Sequence, residues 1–241
     1  MERPAWVLLG DSLTQRGTEP GGWASTLAQT HVRAIDFFNR GYSGYNTRWI
    51  LHMLPGILGG IRQRVQLLTL WLGANDAALA DGIRQAWHVP LDEYQANLEA
   101  IVRTVRASGI EHVLLITPTP YDRAGRAAYL QRERGVDPSQ RDRDSETAST
   151  YADAARRVGE RLVVPVLDAW SLVAAQAGWE RELLCDGLHF TPQGQALIAS
   201  AVLDAIRQAW PHLAPEAVAQ DGPDFATVDP ARWKEWLDGQ V

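Results

Sequence analysis

The sequence predicts an α/β fold: a largely parallel sheet covered by helices on both faces. Three observations predict it. Short apolar runs alternate with longer segments of helical spacing from Trp6 to Trp210. The runs are continuously apolar rather than alternating, as in residues 65–72, where only Gln66 and Thr69 interrupt. Strands buried on both faces read this way. Small polar clusters follow the runs, where the carboxyl-end loops of a parallel sheet carry its chemistry.

Taken in order, residues 6–9 (Trp-Val-Leu-Leu) read as a buried strand ending at Gly10. Residues 23–30 have helical spacing, and 35–38 form a second strand. A helix over 47–64 carries apolar Trp49, Ile50, Met53, Leu54, Ile57 and Leu58. Pro55, Gly56, Gly59 and Gly60 are expected to kink or interrupt it. Residues 65–72 make the third strand. Residues 91–107 put Tyr94, Leu98, Ile101, Val102 and Val105 on one helical face. The fourth strand is 112–116, followed by a helix at 146–162 and a fifth strand at 163–167. A closing helix spans 192–210, with Thr191 as N-cap and Pro192 at its first position.

Two segments stand outside the alternation. Residues 121–144 form a charged, arginine-rich excursion, too long for an ordinary connection and therefore either a partly helical cover or a disordered insertion. Residues 211–241 hold Pro215, Pro223 and Pro230, then Trp233 and Trp236. The expected organisation is one domain over 1–210 and a tail that packs on it or on a partner.

Composition narrows the function classes. A net charge of −6 does not favour nucleic acid or an anionic membrane. The positive charge is nearly all arginine, Lys234 being the only lysine. Cys185 is the only cysteine, so neither an intrachain disulfide nor a cysteine-rich metal site can form. His31, His52, His88, His112 and His212 lack metal-ligand spacing. No run approaches the ~18 apolar residues of a membrane span, and 6–9 is too short for a signal core. The expectation is a cytoplasmic protein without metal or cofactor, taking a small-molecule substrate, with homo-oligomerisation left open.

Acyl transfer needs a nucleophile, a base, a group that orients the base, and donors for the oxyanion. Ser12 follows the first strand where a helix should begin, which exposes its hydroxyl and turns its N–H into the site. His189 is the candidate base, and Asp186, three residues earlier, can fix its tautomer. Gly44 can bring a backbone N–H close to a carbonyl, and Asn75 offers an NH₂ donor straight after the third strand. Alone, each has a plainer reading: Gly-Asp-Ser as a helix cap, Asn75-Asp76 and Gly44 as turns, Asp186-x-x-His189 as a surface loop. Together, in this order and at these strand ends, they point to catalysis. Asp11 and Asp76 are read as supports and Cys185 as a buried inert thiol.

Gly10-Asp11-Ser12-Leu13, Gly44 within 39–47, Gly73-Ala74-Asn75-Asp76 and Asp186-Gly187-Leu188-His189 resemble the four blocks of the GDSL/SGNH hydrolases. Residues 39–48 and His88-Val89-Pro90-Leu91-Asp92-Glu93-Tyr94 resemble the branch of isoamyl-acetate-hydrolysing esterases. The likeness runs from about Trp6 to Trp210. It implies a three-layer α/β/α sandwich, flavodoxin-like, with strand order 2-1-3-4-5. It also implies Ser12 as nucleophile, His189 as base, Asp186 as orienting acid, and the Ser12 N–H, Gly44 N–H and Asn75 amide as oxyanion donors.

The implied activity is cleavage of short- to medium-chain acyl esters. Thioesterase, lysophospholipase and carbohydrate deacetylase remain alternatives on the same site, since the fold does not choose among them. A nucleotide- or flavin-binding module is disfavoured because the first loop lacks G-x-G-x-x-G. A catalytically dead binding subunit is disfavoured by the intact blocks. Tyr42, Tyr45, Leu79 and Trp87 are expected to wall the acyl pocket.

Overall fold

The structure, a computed structural model, describes residues 2–222, 224–232 and 234. Five parallel strands form one sheet in the order β2-β1-β3-β4-β5. They are β1 (Ala5–Gly10), β2 (Asp36–Gly41), β3 (Val65–Trp71), β4 (His112–Ile116) and β5 (Val166–Leu167). The helices are α1 (Ser12–Gln15), α2 (Trp23–Thr30), α3 (Thr47–Gly59), α4 (Leu91–Ala107), α5 (Arg123–Arg134), α6 (Ser145–Leu162), α7 (Ala169–Ala174), α8 (Trp179–Glu182) and α9 (Pro192–Ala209).

Side-chain alternation along the strands divides the core into two layers. Trp6 and Leu8 of β1, Leu67 and Trp71 of β3, and Leu114 and Ile116 of β4 pack with α2 and α9. Val7, Leu9, Leu68, Leu70, Val113 and Leu115 pack on the opposite face with α3, α4 and α6. Every residue of β1 is buried, which is why the run carries no polar side chain. The result is the three-layer sandwich with strand order 2-1-3-4-5.

Several boundaries differ from the periodicity for physical reasons. β2 starts later and runs on through Asn39, Arg40 and Gly41, paired in register with β1 up to Gly10↔Gly41. As an edge strand with one neighbour it is only partly buried and tolerates polar residues. α3 passes through Pro55 without ending and stops at Gly59, short of the expected 64. Pro55 is exposed, so water can satisfy the carbonyl one turn earlier. β5 is reduced to Val166–Leu167 because Val163, at φ 51°, caps α6 and the Val164 N–H donates to the Gly159 carbonyl.

The excursion at 121–144 is folded. Asp122 caps α5 by accepting from the Ala124 and Gly125 N–H groups, and Gly135 ends it with φ 64°. Beyond α9, Leu213 is buried, and its carbonyl lies 3.2 Å from His31 Nε2. Asp221 accepts from Arg3 Nε, and Arg33 donates to the Asp221 carbonyl. Trp233 and Trp236 of the tail lie outside the described residues.

Candidate active site

Four segments meet at the carboxyl edge of the sheet. The first is the β1–α1 junction. Asp11 caps α1 by accepting the Leu13 N–H at 2.9 Å, which puts Ser12 on the first turn. There its N–H belongs to a group that has no partner inside the helix. Asp11 is fully buried, and burial pushes its carboxyl up to about 7.

The second segment is the Asp186–His189 turn. His189 Nε2 stands 2.9 Å from Ser12 Oγ, and His189 Nδ1 stands 2.7 Å from Asp186 Oδ2. Asp186 Oδ1 accepts the backbone N–H groups of Leu188 and His189 at 3.0 and 2.7 Å. Oδ2 also accepts from Arg126 Nη1 at 3.0 Å. Burial alone would raise the carboxyl, but the hydrogen bonds and charge of His189, with Arg126, outweigh it and hold Asp186 below the ordinary carboxylate range. Asp186 therefore stays ionised, and its bond to Nδ1 leaves Nε2 to face the serine.

The third is the loop after β2. Gly44 sits at φ 83°, a conformation that other L residues adopt only with strain. A Cβ there would come no closer than 3.5 Å to Trp87, so backbone conformation, not space, makes this position a glycine. The fourth is the loop after β3. Gly73 lies at φ 129°, and a Cβ would run into Pro118 and the Tyr94 hydroxyl at 2.8 Å. Asn75 follows, its Nδ2 donating to the Tyr45 carbonyl at 2.8 Å. The amide carries two N–H groups, so the second is left for the pocket. Asp76 ties the loops together by accepting from the Thr47 N–H at 2.9 Å and from the Thr47 hydroxyl, and burial pushes it up to about 6.

The pocket these segments enclose has a volume of about 170 Å³. Ser12, Gly44, Asn75 and His189 line it, together with Ser43 and Leu188. Of the expected acyl-pocket residues only Trp87 does so. Tyr42 and Tyr45 form a tilted ring pair at 5.4 Å, and Tyr45 meets Trp49 over a separate groove. Leu79 is buried, and its N–H donates to the Asp142 carbonyl. Cys185, expected to be buried, is exposed. Loss of hydration around its sulfur and the nearby Asp186 charge push its thiol up.

Residue-by-residue reading missed the excursion's contribution. Arg143 is buried and donates from Nη2 to Asn75 Oδ1 at 2.7 Å, from Nε to the Ala74 carbonyl, and from Nη1 to Asp142 Oδ2 at 2.9 Å. A guanidinium is donor only, so the Asn75 oxygen must face it and Nδ2 must face away. Asp142 also accepts from Arg126 Nε at 3.3 Å and from the Tyr121 hydroxyl. A buried line of alternating charge thus runs from Asn75 through Arg143, Asp142 and Arg126 to Asp186. The sequence signal was a pair of arginines amid many, with nothing to separate them from a solvated face.

Asp142 is the hub of that line and is 1% exposed. Asp142→Asn should cost about 3–5 kcal/mol, because it leaves buried guanidinium charge uncompensated. Urea unfolding checks this; a loss below about 1 kcal/mol would mean that solvent, not Asp142, balances the arginines.

Comparison with known proteins bears on the same blocks. Residues 8–197 match the GDSL-like lipase/acylhydrolase family. The chain belongs to that family. A GDSL esterase/lipase of Arabidopsis thaliana is 38% identical over 231 residues, covering 94% of this chain and 94% of the relative. An isoamyl acetate-hydrolyzing esterase 1 homolog of Mus musculus is 37% identical over 199 residues, 81% of this chain and 78% of the relative. The crystal structure of a lipase/acylhydrolase from Enterococcus faecalis superposes with a TM-score of 0.68 at 20% identity, over 91% of this chain and all of that one. This GDSL-family chain is accordingly a hydrolytic esterase. Among the described residues no helix is long and apolar enough to cross a membrane.

Proposed function

We propose that this esterase cleaves short- to medium-chain acyl esters through an acyl-enzyme on Ser12. The observation that carries the reading is the unbroken line Ser12 Oγ, His189 Nε2, His189 Nδ1, Asp186 Oδ2, with contacts of 2.9 and 2.7 Å on the wall of a pocket. Ser12 Oγ attacks the ester carbonyl while His189 Nε2 takes its proton. The oxyanion is met by the Ser12 and Gly44 N–H groups and by Asn75 Nδ2. As the tetrahedral adduct collapses, His189 returns the proton to the departing alcohol. Water then repeats the sequence on the acyl-enzyme, with His189 again as base. Asp186, kept ionised, holds the imidazole and stabilises the imidazolium.

Arg143 and Arg126 act as positioning residues, the first for the Asn75 amide and the second for the Asp186 carboxylate. Residues 1–210 would be the hydrolase unit and 211–241 a tail that packs on it or on a partner, the burial of Leu213 supporting contact at the start of that tail. The lone Cys185 supports a reducing, cytoplasmic setting.

A fluorophosphonate probe should label Ser12 and leave Ser12→Ala unlabelled, peptide mapping providing the check. Labelling elsewhere, with Ser12 unmodified, would overturn the assignment. Chain length is tested by p-nitrophenyl esters from C2 to C16, kept monomeric. Only methylenes that meet an apolar wall gain their ~0.8 kcal/mol, and this pocket is small. kcat/KM should rise from acetyl to butyryl or hexanoyl and then fall. A maximum at C12 or beyond would reject the short-chain reading in favour of long-chain lipid or thioester substrates.

A further inference from the structure

The pocket wall carries positive charge that the proposed ester chemistry does not use. Arg84, Arg126 and Arg143 all line it, and no carboxylate does, in a chain whose net charge is −6. Two of the three are accounted for. Arg126 and Arg143 are buried against Asp142 and Asp186, two cations on two anions, and their donors hold the catalytic framework.

Arg84 differs. Among the described residues, no aspartate or glutamate lies within ion-pair distance of it. Its guanidinium carbon instead lies over the Trp87 ring, 4.8 Å from the centroid, and Trp87 lines the same pocket. A cation–π contact leaves the guanidinium N–H donors for other partners, and their fork suits a carboxylate. It also restrains a side chain that is otherwise long and costly to order. Arg84 is only partly exposed, so a charge beside it is screened less than on open surface.

We infer that the ester taken by this pocket carries a carboxylate, bound by Arg84 against Trp87. The substrate class is therefore a half-ester of a dicarboxylic acid or an acyl ester of a hydroxy acid. This deepens the esterase reading and rests on it. The site's volume of about 170 Å³ lies below the usual ~300 Å³ or more of ligand pockets, which suits a compact group beside Ser12.

The test compares isosteric pairs with the purified full chain. Monoethyl succinate against ethyl succinamate puts the charge on the acyl side. 4-Acetoxybutanoate against 4-acetoxybutanamide puts it on the alcohol side. In at least one pair the carboxylate member should be preferred by about tenfold or more in kcat/KM, the scale of one charge-assisted hydrogen bond. Arg84→Gln should abolish most of that ratio, Arg84→Lys should keep part of it, and added salt should shrink it. Whichever pair responds identifies the side of the ester that bears the charge. A ratio below about tenfold in both pairs, or one that survives Arg84→Gln, overturns the inference. The neutral members separate the two readings: if Ser12 is needed for their hydrolysis, the esterase assignment stands whatever the ratio.

Discussion

Ser12→Ala and His189→Ala should each lower kcat/KM by roughly 10⁴–10⁶, and the double variant should be no worse than either single one. In the proposed mechanism Ser12 and His189 act as a unit: without the imidazole 2.9 Å away, the hydroxyl has nowhere to send its proton. The fold should survive both changes, because Ser12 closes no packing layer and Asp186 keeps its backbone and Arg126 contacts without the imidazole. Ester hydrolysis and thermal unfolding measured together check this. If folded Ser12→Ala retained a tenth of wild-type activity, Ser12 would not be the nucleophile. Asp186→Asn should be nearly as severe, about 10⁴ in kcat, since the neutral amide permits the wrong tautomer.

The second large effect is at Asn75. Asn75→Ala should reduce kcat by roughly 10²–10³ with KM much less changed, because the bond from Nδ2 strengthens as charge develops on the oxygen. A large rise in KM at constant kcat would instead make Asn75 a ground-state binder. Arg143 provides the companion measurement. Arg143→Lys keeps a charge for Asp142 but loses the fork that reaches Asn75 Oδ1 and the Ala74 carbonyl together. The amide then loses its fixed orientation, and kcat should fall by about 10–10²-fold. In an Asn75→Ala background the same change should do little further to kcat, since Arg143 acts through that amide. Full additivity in this cycle would show that Arg143 acts on kcat by a route independent of the Asn75 amide.

The candidate site was legible where local chemistry and topology agree. Parallel strands buried on both faces must be apolar throughout, so β1, β3 and β4 stand out, and the polar residues just after them, Ser12 and Asn75, are conspicuous by contrast. Helical spacing placed α2 and α4 well, and a good cap placed the N-terminus of α9, through Thr191 accepting the Gly194 N–H. Less was legible where ends depend on neighbours. β2 gained Asn39–Gly41 only because β1 was there to pair with. Val163 and Val164 have high strand propensity but were claimed by the cap of α6, where a local hydrogen bond outweighs propensity.

The order of the four blocks, the pairing of Asp186 with His189 and the glycine at position 44 were determined by the sequence alone. Each depends on residues a few positions apart, or on a rule about strand ends that any parallel sheet obeys. The role of residues 121–144 was decided only by the tertiary structure. There, Leu79 and Ile83 donate their N–H groups to the carbonyls of Asp142 and Arg141, drawing the excursion under the loop after β3. That contact carries Arg143 to Asn75 and Arg126 to Asp186, residues 68 and 60 positions away. Only the folded chain shows that Tyr42, Tyr45 and Leu79 do not line the pocket and that Arg84 lies over Trp87 within it. The physical reason is one of range. Hydrophobic periodicity and capping are written into neighbouring residues, whereas the partner of a buried charge is chosen by whichever opposite charge the folded chain brings to it once water is excluded.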